Sequence, residues 1–182
     1  MNRSSFGLLV SLFSLLSFSA RAESAGGLGW TPPASWKVDA PKPMRAATYR
    51  IEPTAGDADV GECAVFYFGP GQGGDVDANI KRWIGQFSQP DGKPSEPLAK
   101  TQKRKINGLD VTTIDLSGTY AGSMGPAGPM SPTKVSKPGY RLLGGIVEGP
   151  QGPIFFKLTG PTKTIKAAQP SFEKLLSSVK PG

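Results

Sequence analysis

Asn107-Gly108 sits between two β-rich runs, Lys100 to Ile106 (KTQKRKI) and Leu109 to Tyr120 (LDVTTIDLSGTY). A two-residue Asn-Gly link favours positive φ at both positions, and that geometry closes an antiparallel hairpin. Adjacent paired runs recur twice more. Ala46 to Ile51 and Glu62 to Phe68 flank the turn EPTAGDADVG, and Tyr140 to Glu148 and Ile154 to Thr159 flank Gly149-Pro-Gln-Gly-Pro153. The run Glu62 to Phe68 is apolar on both faces, which predicts a central strand. Three such pairs predict a mainly antiparallel sheet of about six strands.

Two stretches have the period of a helix. In the first, Asp75 to about Ser88, Val76, Ile80, Trp83, Ile84 and Phe87 form one apolar stripe, with Lys81 and Arg82 off it. Asp75 is the predicted N-cap, Asp77 lies in the first turn, and Gln89-Pro-Asp-Gly92 ends the segment. The second runs from about Ser171, or a turn earlier with Pro170 at its start, with Phe172, Leu175, Leu176 and Val179 on its stripe. The order ββ-α-ββ-ββ-α predicts an α+β domain in which both amphipathic helices pack on the sheet.

Met1 to Ala22 has a basic start at Arg3, an apolar run from Gly7 to Phe18, and the small-x-small ending Ala20-Arg21-Ala22. This is the pattern of a cleaved export signal, predicting a mature chain from Glu23 in the periplasm or secreted, with no lipid anchor. No later segment nears the ~18 apolar residues of a membrane span, so none is expected in the mature chain. Residues 23–29 read as a flexible N-terminus, and 30–182 as one domain. Within it, residues 121–138 carry three glycines and four prolines and read as a long loop.

The chemistry is restricted by what is missing. There is no histidine, the commonest general base and zinc ligand, and Cys63 is the single cysteine. No intramolecular disulfide or thiolate cluster can form, and Cys63, in an apolar strand, reads as a buried inert thiol. Asp57-Ala-Asp59-Val-Gly61-Glu62 fails the EF-hand template, because Gly61 and Phe68 stand where ligands are required. Gly69-Pro-Gly-Gln-Gly-Gly74 lacks the Lys-Ser/Thr of a phosphate loop, and Asp75 after it would repel a phosphate. Asp110 and Asp115 fall on opposite faces of one strand, so they do not pair. No catalytic residue, cofactor or metal ligand is expected.

Charge is uneven. The chain carries +7, and loss of Arg3 and Arg21 leaves the mature form two charges lower; residues 134–182 hold eight bases and two acids. Lys100, Lys103, Arg104 and Lys105 are the densest basic cluster, and Lys134 and Lys137 close the long loop. Lysines on an edge strand resist edge-to-edge aggregation; the sharper reading is that these six residues meet a partner. That partner is an unidentified protein or an anionic envelope component, and export argues against nucleic acid. Trp30 and Trp36, separated by two prolines, are expected to cap the core.

The segments Glu62 to Pro70, Asp77 to Gly92, Gly144 to Pro153 and Phe155 to Pro161 resemble a group of uncharacterised exported bacterial proteins, a likeness covering nearly all of residues 30–180. More loosely, the element order resembles the PsbP-like fold, an α/β/α arrangement in extrinsic subunits of the photosynthetic oxygen-evolving complex and in a nuclear transport factor that binds the Ran GTPase. That resemblance implies a protein that binds and adjusts partners rather than a classical enzyme. It also directs attention to Asn79 and Trp83, one helical turn apart, for which structural roles are expected: a hydrogen bond from Asn79 to the glycine loop, and packing of Trp83 on the sheet. The reading is an exported, non-catalytic binding or assembly module; the alternative is a carboxylate-dependent hydrolase whose site forms only in the fold.

Overall fold

The computed structural model describes residues 22–123 and 134–182. The proposed leader, apart from Ala22, and the centre of the 121–138 loop lie outside them. In chain order the elements are β1 Glu23–Ala25, β2 Leu28–Trp30, β3 Lys37–Val38, β4 Ala47–Ile51, β5 Gly61–Phe66, α1 Val76–Ile84, β6 Phe87–Ser88, β7 Lys100–Ile106, β8 Leu109–Ser123, β9 Lys134–Gly149, β10 Gly152–Pro161, α2 Thr162–Ser177 and β11 Lys180–Pro181.

The principal sheet is antiparallel, ordered β3-β4-β5-β10-β9-β8-β6, with β7 also paired to β8. The Asn107-Gly108 hairpin has the register its turn dictates, Ile106 opposite Leu109 and Lys105 opposite Asp110. Asn107 and Gly108 both take positive φ, 49° and 83°.

The helices lie on opposite faces of this sheet, and two adjacent glycines of β9 show it. A Cβ on Gly144 would lie 2.4 Å from the Trp83 ring of α1, and one on Gly145 would lie 2.7 Å from Leu176 of α2. Successive strand residues point to opposite faces, so each glycine admits a bulky side chain from its own helix. Under α2, Ile165, Phe172, Leu175 and Leu176 join Tyr49, Val65, Val147, Phe156 and Leu158. Under α1, Ile80, Trp83 and Ile84 join Ile114, Leu142, Ile146 and Phe155. Burying each large side chain contributes about 1.5–3 kcal/mol, so the two cores dominate stability.

Several expectations are corrected. The described residues form eleven strands rather than about six, because short pairings at the margins carry too few residues to show a period. Residues 23–29, expected to be flexible, form β1 and most of β2 in a second sheet ordered β1-β2-β11. They are held by apolar burial and by a polar relay: Leu28 is fully buried, Trp30 Nε1 donates to Tyr49 Oη at 2.8 Å, and that hydroxyl donates to Glu23 at 2.9 Å. The ends of the 121–138 loop are strand, since Tyr120 to Ser123 pair with Lys137 to Lys134. The first helix ends at Ile84, because Gly85 weakens its continuation and Phe87 pairs instead with Tyr120.

The second helix begins at Thr162, about two and a half turns before Ser171, and carries Pro170 inside it. Ile165 and Ala168 extend its apolar stripe, and Pro170 faces solvent. The helix has no cap of its own at Pro161. Asp57, from the turn between β4 and β5, supplies one, accepting from Thr164 N at 2.9 Å and Thr164 Oγ1 at 2.6 Å. The Asp57 carboxylate is therefore a tertiary contact between that turn and α2. Cys63 is fully buried, and burial pushes its thiol well above the ordinary range.

Candidate functional site

A cleft of about 500 Å³ lies between the first turn of α1 and the α1-facing side of β7, β8, β9 and β10. Its floor is set by strand register. One row runs Lys105–Asp110–Glu148–Pro153 across four strands, and the next runs Lys103–Thr112–Ile146 across three. Its wall is Gly74 to Asp77. Positive φ at Gly69, Gly71, Gly73 and Gly74 turns the chain sharply out of β5 and into the helix. Asp75 caps α1, its carboxylate accepting from Ala78 N at 2.7 Å. Asn79, only 1 % exposed, donates from Nδ2 to Gly73 O and Asp75 O, both at 2.8 Å, and so pins the glycine loop against the helix.

Four carboxylates line this cleft, Asp75, Asp77, Asp110 and Glu148, with Lys103 and Arg104 as the basic lining. Lys105 Nζ pairs with Asp110 at 2.8 Å, while Arg104 pairs with Glu173 of α2 at 2.5 Å. Thr112 is almost completely buried at the bottom.

The structure splits the predicted basic set. Lys100, Lys103, Arg104 and Lys105 lie together, exposed, on β7. Lys137 does not join them: it sits opposite Tyr120, whereas Lys100 sits opposite Asp115, some 17 Å away along β8. Its Nζ pairs with Asp59 at 2.6 Å, and Tyr140 Oη donates to the same carboxylate at 2.8 Å. These contacts hold the Asp59 carboxyl below its usual range, and burial with the nearby carboxylate pushes the Tyr140 phenol up. Lys134 begins β9 and forms the last pair of its ladder with β8, opposite Ser123. Trp30, Trp36 and Trp83 are all buried. Trp30 meets Phe156 edge-on with ring centroids 5.5 Å apart.

The acidic half of the cleft escaped sequence reasoning. The Asn-Gly register already placed Lys105 opposite Asp110, but setting Glu148 beside Asp110 requires the β8–β9 register, and setting Asp75 and Asp77 above them requires the helix to dock. A second polar group lies beyond the C-terminus of α1. Lys157 Nζ donates to Gln86 Oε1 at 2.5 Å and to Tyr120 Oη at 3.3 Å, and lies 5.2 Å from the centre of the Tyr120 ring. Burial pulls its ammonium down to about 8, with Glu62 opposing that shift and Arg45 and Arg82 adding to it.

No helix among the described residues is long and apolar enough to cross a membrane. No family model matches the chain, and no curated protein matches it. Among solved structures it is similar to cyanobacterial PsbP (CyanoP) from Synechocystis sp. PCC 6803, with a TM-score of 0.53 and 12 % identity over 97 % of this chain and 100 % of that one. A protein of unknown function from Pseudomonas aeruginosa, PA94, gives 0.49 and 9 % over 89 % and 96 %. The chain is thus an α+β protein with two helices packed on mainly antiparallel sheet, and its fold is PsbP-like.

Proposed function

We propose that the protein is an exported, non-catalytic binding or assembly module that engages a partner at the cleft beneath α1 and along the adjoining β7 edge. The observation that supports this best is the cleft, where four carboxylates from three separate stretches of chain meet Lys103 of the predicted basic strand. The four acids favour a protein over an anionic envelope polymer, which they would repel. The alternative, a carboxylate-dependent hydrolase, would draw on the same acids. Asp110 is already paired with Lys105, and no three acidic, cysteine or histidine side chains among the described residues group closely enough to hold a metal ion.

Export is part of this reading, with the mature chain starting at Glu23. Intact mass of the secreted form tests it; a retained Met1 segment would overturn it. Binding is tested by retaining partners from a periplasmic extract on immobilised mature protein at low and moderate salt. A partner lost with Glu148→Lys, but kept with Lys93→Glu, is expected. No retained partner at either salt would count against the proposal.

A further inference from the structure

We propose that the cleft beneath α1 takes a basic side chain, an arginine or lysine presented by a peptide segment of the partner. This rests on the binding reading above and adds the chemistry of what is bound. Four of the chain's 14 carboxylates line this one cleft, although the chain as a whole carries +7. Of these, Asp110 is paired with Lys105 and Asp75 is used as a helix cap. Asp77 and Glu148 make no salt bridge among the described residues, and Arg104 is drawn away to Glu173. Lys103 is therefore the one lining cation without a carboxylate partner among the described residues.

Register makes the arrangement costly when empty. Asp110 and Glu148 stand directly opposite each other on neighbouring strands, where like charges with Cβ atoms about 5 Å apart repel. Lys105 compensates only one of them. A guanidinium or ammonium between the two would relieve the other. The positive end of α1 opposes a cation there by about half a charge, which Asp75 and Asp77 together more than cancel.

Thr112 points to a ligand independently of the acids. It is only 7 % exposed, lines the cleft, and its hydroxyl has no hydrogen-bond partner among the described residues. Every side-chain nitrogen or oxygen fully sealed from solvent among those residues does have a partner, so the Thr112 hydroxyl must open onto the cleft. It provides an acceptor for an N–H at the bottom. Val76 and Pro153 on the walls suit the methylene stem of a lysine or arginine. An acidic side chain would instead meet Asp77 and Glu148 unpaired.

The test uses capped glycine pentapeptides carrying two arginines, two glutamates or two serines, titrated into the mature chain and followed by amide chemical shifts. The arginine peptide is expected to move the amides of Asp75 to Asp77, Asp110 to Thr112 and Glu148. Glu148→Gln and Asp77→Asn should each weaken it about tenfold, with Asp91→Asn leaving it unchanged and Lys103→Gln tightening it. The dispersion of each variant's spectrum verifies that it folds. Cleft shifts with the glutamate or serine peptide but not with arginine would overturn the ligand chemistry and leave the binding reading standing. Arginine-induced shifts confined to residues outside the cleft would also overturn it. No cleft response to any of the three, together with partner retention indifferent to Glu148→Lys, would overturn both readings.

Discussion

Lys157 offers a sharp test of the electrostatics in this fold. It lies on the α1 face of β10, opposite Ala64 and Gly144, and its ammonium meets only neutral acceptors, Gln86 Oε1 and Tyr120 Oη. Burial lowers its proton affinity from the ordinary 10.5 to about 8. That gap corresponds to roughly 3 kcal/mol of penalty on the charged form. Below pH 8 both folded and unfolded chains hold the proton, and the full penalty is present. Between pH 8 and 10.5 the folded chain gives up its proton first, so this residue makes the fold more stable as pH rises. Lys157→Met keeps the length, removes the charge and forfeits two hydrogen bonds worth about 1 kcal/mol each. The variant should be about 1 kcal/mol more stable than the parent at pH 7 and less stable near pH 10.5. The difference between the two should swing by about 3 kcal/mol across that interval, and it is read from paired urea unfolding curves at half-unit pH steps. Other ionisable groups are common to both proteins and cancel. A difference that stays flat from pH 7 to 10.5 would refute the reasoning, whatever its sign.

Asp57→Ala removes the cap on α2 and leaves the buried Thr164 hydroxyl without its short bond; a loss of about 1–2 kcal/mol is expected in thermal unfolding, with Asp57→Asn retaining most of it. Gly144→Ala drives a Cβ into the Trp83 ring and should cost about 1–3 kcal/mol. Adding Trp83→Leu should recover part of that loss, so the two changes should be non-additive in a double-mutant cycle. Cys63, with its thiol pushed up by burial, should be silent to a thiol reagent at pH 9 in the folded chain and react fully in urea. The unfolded thiol ionises near its ordinary 9.0 while the folded one stays protonated, so stability falls as pH rises past 9. Cys63→Ala should flatten that fall in the same urea titrations.

What could be read from the sequence was what local rules determine. The Asn107-Gly108 turn fixed its hairpin register, and the stripe from Ile80 to Ile84 identified α1 and its buried face. Asp75 and Asn79 have the cap and loop contacts expected of them. What could not be read depends on distant chain. The first half of α2 lacks a local cap, and Asp57 becomes one only after β4 and β5 have paired. Residues 23–29 look mobile because their glycines hide a hairpin whose partners, Tyr49 and Lys180, are far away in sequence. In the candidate site, Lys103 was visible as part of a basic run. The acids around it come from three segments and converge only when α1 docks over the β8–β9 ladder.

The small sheet has a mechanical corollary. β11 pairs with β2, and Gly182 N donates to Gly27 O at 3.0 Å, so the β1-β2 hairpin and β11 are zipped side by side. The fold is topologically close to a closed loop. A short Gly-Ser bridge from Gly182 to Glu23, with fresh ends opened at the Asp91-Gly92 turn, should give a circularly permuted protein with the same core. Conversely, pulling on Glu23 and Gly182 loads this narrow two-residue zipper before any force reaches the central ladders.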